Sequence, residues 1–142
     1  MFIDGTFNFC PAKQSLTGTS DVLSTNVLDV GSAKKIFGGA IGKGPKVVVY
    51  VTAIGGTSPT IRARLVAAGS ADLSTTTPII LADSGVSRVI VAGDLPMAIE
   101  LVPGDQLDAK RYYGVIFTQS GTNPTADVIA ELVLDSQTNL LT

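Results

Sequence analysis

Histidine and tryptophan are absent from this 142-residue sequence, and cysteine occurs once, as Cys10. Without histidine the side chain that titrates nearest neutral pH is missing, and so is the commonest metal ligand. Ser-His and Cys-His catalysis and the usual zinc sites are therefore excluded on composition. A single cysteine leaves no partner for an intrachain disulfide, and beside Pro11 it reads as a small apolar residue. Charge is also scarce: 15% of residues are charged and the net charge is −2. The ten Lys and Arg are scattered, with no basic run longer than a pair such as Lys34-Lys35. A sequence-independent nucleic-acid binder needs a basic surface to neutralise phosphates, and a membrane-surface binder needs a polybasic patch, so neither role is expected. No apolar run approaches the ~20 residues that span a bilayer. Met1-Phe2-Ile3-Asp4-Gly5 lacks the basic start and apolar stretch of a secretion leader, so the expected site of synthesis is a cytoplasm.

What is present is apolar and alternating. Hydrophobic residues make up 45% of the chain, enough for one globular domain with its own core. Over residues 46–53, Val47, Val49 and Val51 alternate with Val48, Tyr50 and Thr52. Over 60–67, Ile61, Ala63, Leu65 and Ala67 point one way, with Thr60, Arg62 and Arg64 opposite. A period of two with a charged outer side is a half-buried strand. Similar strands are expected over residues 27–30, 78–82, 88–92, 98–102, 111–119 and 127–135, about eight in all. Val49, Val51, Leu65, Val115, Phe117 and Leu132 are the expected core. Gly55-Gly56, Asp83-Ser84-Gly85, Gly93-Asp94, Pro103-Gly104-Asp105 and Ser120-Gly121-Thr122-Asn123-Pro124 supply turn chemistry between the strands. Residues 32–37 and 70–74 have room only for a helical turn. Many short strands with little helix predict an all-β sandwich or barrel.

Residues 1–25 break the pattern. Phe2, Phe7 and Phe9, three of the five phenylalanines, stand with Ile3 among Gly, Asn, Thr and Ser without a sustained period. The segment is expected to be an extended N-terminal arm, residues 1–25, in front of a sandwich domain, residues 26–142. The arm lies either on its own sandwich or on a neighbouring subunit. In the second case Phe2, Ile3, Phe7 and Phe9 form a protein interface.

Motifs that promise chemistry fail on detail. The glycine-rich stretch at residues 38–44 is not a phosphate loop: Phe37 stands where the first glycine belongs, Gly44 follows Lys43, and a strand comes next. Asp105 and Asp108 lie close in sequence, but no calcium-loop spacing surrounds them. Asp127 and Glu131 share the outer face of a strand. Arg62 and Arg64 suit an anion or cross-strand acids. No catalytic residue, cofactor or metal is expected.

Read in order, Asp4-Gly5-Thr6-Phe7-Asn8-Phe9, Ser24-Thr25-Asn26-Val27-Leu28-Asp29-Val30-Gly31, the valine-rich strand at residues 47–51, Lys110-Arg111-Tyr112-Tyr113-Gly114-Val115 and Ala130-Glu131-Leu132-Val133-Leu134-Asp135 resemble the capsid cement (head decoration) proteins of the Bordetella-phage type. The resemblance implies a jelly roll of two antiparallel sheets and self-association as a dimer or trimer. It also implies binding to the major capsid protein on the outer surface of the phage head, in the virion. The alternative expectation is a carbohydrate- or host-receptor-binding jelly roll, which the absence of Trp and the 6% aromatic content disfavour.

Overall fold

The computed structural model describes residues 8–10, 13–34, 36–37, 45–73, 77–85, 92–103, 106 and 108–133. Seven antiparallel strands form one hydrogen-bonded sheet. They are β1 (Gln14–Thr17), β2 (Val22–Leu23), β3 (Leu28–Lys34), β4 (Lys46–Ala68), β5 (Ile79–Asp83), β6 (Met97–Leu101) and β7 (Lys110–Val133). The chain is all-β, as alternation predicts. The strand expected over residues 88–92 falls outside the described residues except for Ala92, which opens a 3-10 turn, Ala92–Asp94. Residues 32–34 extend β3 and do not form a helical turn.

Two strands are far longer than the ~5–6 residues typical of globular proteins. The segments read as separate strands at 46–53 and 60–67 are one strand of 23 residues, β4. Those at 111–119 and 127–135 merge in β7, of 24 residues, with Leu134 and Asp135 outside the described part. The two pair along their whole length, from Lys46↔Val133 to Ala68↔Tyr112.

Hydrogen bonds show that this ribbon is folded across its middle. Ser24 N donates to Val115 O at 2.7 Å, and Phe9 N donates to Ala130 O at 3.0 Å. Asn26 N in turn donates to Phe9 O at 2.8 Å. Val115 and Ala130 are fifteen residues apart on β7, about 50 Å in a straight strand, yet this short relay joins them. One half-sheet holds β1, the C-terminal half of β7, the N-terminal half of β4, and β6. The other holds β2 and β3, the N-terminal half of β7, the C-terminal half of β4, and β5.

The crease lies at residues 55–59 of β4 and 120–124 of β7, the glycine-rich segments read as turns. Pairing does not stop there: Gly55↔Thr125, Thr57↔Thr122 and Thr60↔Ser120 carry it through, with register shifts between Val51/Ala53, Gly55/Thr57 and Thr57/Thr60. Each irregularity bends the strand without ending it. Gly56 and Gly121 have φ of 95° and 120°, in the region L side chains avoid. They also touch the opposite backbone. A Cβ on Gly56 would sit 2.5 Å from Asn123 O, and one on Gly121 would sit 2.8 Å from Ser58 O.

The apolar rows of both half-sheets face each other across the fold. Val47, Val49, Val51, Ile61, Ala63, Leu65 and Ala67 of β4 meet Tyr113, Val115, Phe117, Val128, Ala130 and Leu132 of β7 in one buried cluster. All six core residues expected from alternation are buried. A second, smaller cluster lies on the outer side, where Leu73 caps Val66, Ala68 and Ile116. Gly114 makes room for it, since a Cβ there would meet Leu73 Cδ1 at 2.7 Å. Gln106 is buried but well bonded. Its Oε1 accepts from Ile36 N at 3.0 Å and its Nε2 donates to Tyr113 Oη at 2.7 Å, so it ties residues 36–37 to β7.

The N-terminal segment joins this sheet before residue 26. β1 pairs with residues 125–128 of β7 and buries Leu16. β2 pairs with Phe117 and Ile116. Asn8 bridges to Glu131. The physical reason is that β7 would otherwise expose an open edge of unpaired backbone groups.

Alanine at Gly56 or Gly121 is expected to cost about 2 kcal/mol or more, combining left-handed strain with a clash. Gly31→Ala is the control, because Gly31 has φ of 85° with nothing within 4 Å; it should cost about 1 kcal/mol. Urea unfolding of the three variants checks this, and equal losses would contradict the role of close approach at the crease.

Candidate functional site

The charged side chains of the outer faces are engaged with one another. Five ion pairs occur among the described residues, and each ties a peripheral element to the β4–β7 ribbon. For β1, Ser15 Oγ donates to Asp127 Oδ1 at 2.8 Å and Lys13 Nζ lies 3.3 Å from Asp127 Oδ2. For β2, Asp21 just ahead of it accepts from Thr118 Oγ1 at 2.6 Å and pairs with Arg64 Nη2 at 3.0 Å. For β3, Arg111 grips Asp29 with two bonds of 2.8 and 3.0 Å. For β5, Arg62 holds Asp83 through Nε at 2.9 Å and through a second bond from Nη2 to Oδ2. For β6, Lys46 Nζ meets Glu100 Oε1 at 3.0 Å.

The partners of Asp21, Asp29, Asp83 and Asp127 depress the pKa values of these four carboxyls. The Arg62 bonds hold Asp83 down to about 2. The Thr118 hydroxyl and then Arg64 lower Asp21, Arg111 lowers Asp29, and Ser15 and then Lys13 lower Asp127. Arg62 and Arg64, candidates for anion binding, thus each hold an aspartate. Arg64 Nε is buried without a hydrogen-bond partner, because the guanidinium engages Asp21 and Thr118 through Nη2.

Of the four residues expected at an interface, Phe9 lies in the chain's own core at 1% exposure. Its backbone is fixed between Ala130 and Asn26, so its ring fills the sandwich. Phe2, Ile3 and Phe7 lie outside the described residues, as do Asp105 and residues 38–44. Asp108 is exposed, and Asp127 and Glu131 share an outer face with Asp127 taken up by Ser15 and Lys13. Cys10 is buried, its Sγ donates to Gln14 Oε1 at 3.0 Å, and burial pushes its pKa up, so the nucleophilic thiolate is disfavoured. Among the described residues no group of three or more Cys, Asp and Glu is placed to hold a metal ion, and no helix is long and apolar enough to cross a membrane.

Two surface features went unread in the sequence. Ile80 and Val102 are exposed large hydrophobics, at 54% and 62%. The signal was present, since Ile79-Ile80-Leu81 and Leu101-Val102 put apolar residues at both parities, and one of each pair must face out. A shallow depression of about 240 Å³ also lies beside the crease, lined by Ser15, Thr17, Ile54, Thr125 and Asp127 among others. It has no aromatic platform of the kind that stacks on sugars. No family model matches this chain, and no curated protein matches it in sequence.

A carboxylate whose folded pKa is depressed stabilises the fold above its unfolded pKa of ~4 and loses that contribution as pH falls through its folded value. The urea midpoint should therefore be flat above about pH 5 and fall between about pH 4 and 2. Asp83→Asn should flatten part of that fall. The effect is modest because exposed pairs contribute little. An unchanged pH profile in the variant would show that the Arg62–Asp83 tie carries no stability.

Proposed function

We propose that this chain is a non-enzymatic structural protein, a capsid cement of jelly-roll type that binds the outer surface of a phage major capsid protein lattice and stabilises the head. The observation that carries the reading is the long β4–β7 ladder, paired from Lys46↔Val133 to Ala68↔Tyr112 and carried through three register shifts at its bend. A module that braces a pressurised shell must resist being pulled apart. A ladder loaded along its strands yields only when many hydrogen bonds shear together. The outer ion pairs fit the same role, since each fastens a peripheral strand to that ladder. The order of the resembling segments along the chain points the same way. Cementing requires contact area and many copies, so that individually modest contacts sum. No nucleic acid, membrane or cofactor enters this reading.

Heads assembled without the protein should form but release their contents at lower temperature, and adding it back should raise the melting temperature of the shell by mass action. Deleting residues 1–7, which retains Phe9, should leave the far-ultraviolet spectrum strand-like and weaken head binding. Identical melting of heads with and without the protein would overturn the cement reading. Undiminished binding after the deletion would move the contact from the arm to the sandwich surface.

A further inference from the structure

The bend carries nearly the same five residues twice. Gly56-Thr57-Ser58-Pro59-Thr60 in β4 and Gly121-Thr122-Asn123-Pro124-Thr125 in β7 differ only at Ser58 and Asn123. They also share a conformation. Gly56 and Gly121 have positive φ, Ser58 and Asn123 hold φ of 50° and 49°, and Pro59 and Pro124 are buried behind exposed neighbours. Each segment touches the other through the same atoms: Gly56 packs on Thr122 O and Asn123 O, and Gly121 on Thr57 O and Ser58 O. Thr57 pairs with Thr122, and the ladder is symmetric about that pair as far as the register shift between Val51 and Ala53. Exchanging the two segments turns Thr60↔Ser120 into Gly55↔Thr125, Ile61↔Gln119 into Ile54↔Ala126 and Arg62↔Thr118 into Ala53↔Asp127, and all of these pairs are present. A contact of one residue with another, matched by its reciprocal, is the mark of a two-fold interface between like units.

The likeness extends beyond the bend. Laying one five-residue segment on the other also lays β4 on β7, with Ala68 on Val133 at their ends, and β1 on β5, with Gln14 on Ile79 at their starts; β3 overlaps β6. The buried row Ile61, Ala63, Leu65 and Ala67 falls on Ala126, Val128, Ala130 and Leu132, which are buried too. Strand partners follow the same rule. β1 lies along the C-terminal half of β7, and β5 along the C-terminal half of β4. β3 lies along the N-terminal half of β7, and β6 along the N-terminal half of β4. We infer that the domain is two copies of one unit, residues 14–68 and 79–133, wound about a pseudo-two-fold axis through the Thr57–Thr122 pair, and that the partner each unit is shaped to bind is a second unit. Every ladder between the named strands joins one unit to the other. A unit by itself would lose all of these ladders and leave its long strand with an open edge on each side. This pairing is independent of what the domain binds outside itself.

The full chain, cut at a protease site placed between Gly69 and Ser70 in the exposed connection from β4 to β5, should remain one folded particle of two fragments. Its urea midpoint should rise with protein concentration, as for an obligate dimer, while that of the uncut chain stays constant. Either fragment, separated in urea and returned to buffer alone, should be unfolded or dimeric. A fragment that regains a strand-like far-ultraviolet spectrum as a monomer would overturn the inference. Substitutions in the uncut chain test the equivalence of the units directly. Asn tolerates positive φ better than Ser, so Ser58→Asn should raise the urea midpoint and Asn123→Ser should lower it by a similar amount. Gly55→Ser copies Ser120, whose hydroxyl is hydrogen-bonded to that of Thr60, and should find the same partner in Thr125. It should therefore lower the midpoint far less than Gly56→Ala. Shifts at positions 58 and 123 that are not opposite in sign, or a Gly55→Ser loss as large as that of Gly56→Ala, would contradict two equivalent units.

Discussion

The close approach of β4 and β7 where both bend is the constraint on which the rest of the structure depends. A straight antiparallel ribbon of this length has one apolar face and nothing to bury it against. Folding it at mid-length sets the two halves of that face against each other, so one ribbon supplies both layers of a sandwich. The bend must keep the ladder hydrogen-bonded, which is done with register shifts, and must let two backbones nearly touch, which requires glycine. Gly56 packs against Asn123 O and Thr122 O, and Gly121 against Ser58 O and Thr57 O. Ser58 and Asn123 beside them hold φ of 50° and 49°, a strain tolerated where the surrounding ladder over-determines the backbone.

The other strands follow from the folded ribbon. β1, β2 and β3 line its β7 side, and β5 and β6 line its β4 side. Each is short, and its anchoring is divided between backbone pairing and one carboxylate tie to the ribbon. Exposed pairs of this kind add little stability individually. Their consistent placement still fixes which strand lies beside which. Among the described residues, Arg62, Arg64 and Arg111 and the carboxylates Asp21, Asp29, Asp83 and Asp127 are thereby engaged in holding the sheet. That distribution of charge, with the shearing ladder, underlies the proposal of a bracing role.

Alternation made the core legible from sequence, because it reports which side of a strand meets apolar neighbours. Val49, Val51, Leu65, Val115, Phe117 and Leu132 were all readable in this way. Strand boundaries were not. Gly55-Gly56 and residues 120–124 carry the residue types of a turn, and in β7 the buried row switches from odd to even numbers between Gln119 and Ala126. A parity switch looks the same in sequence whether the chain turns back or bends while still paired. Only the partner strand tells the two apart. Phe9 stands among residues without a period, yet it enters the core beside the Asn8↔Glu131 bridge, held by backbone bonds to Ala130 and Asn26. The exposed Ile80 and Val102 were hidden inside apolar runs whose outward member is set by pairing partners far away in sequence.

The fold across the ribbon is most directly tested by the distance between two labels on one strand. Tyr112 and Glu131 lie on β7 nineteen residues apart, about 65 Å if the strand were straight. Both are half-buried, and they pair with Asp29 and Asn8 in opposite half-sheets. Spin labels at these positions, in a Cys10→Ser background and read by double electron–electron resonance, should give a single distribution near 20–30 Å, consistent with two sheets packed about 10 Å apart plus the label arms. A distribution centred beyond about 50 Å would mean that β7 runs straight, and the account of a folded ribbon would be wrong.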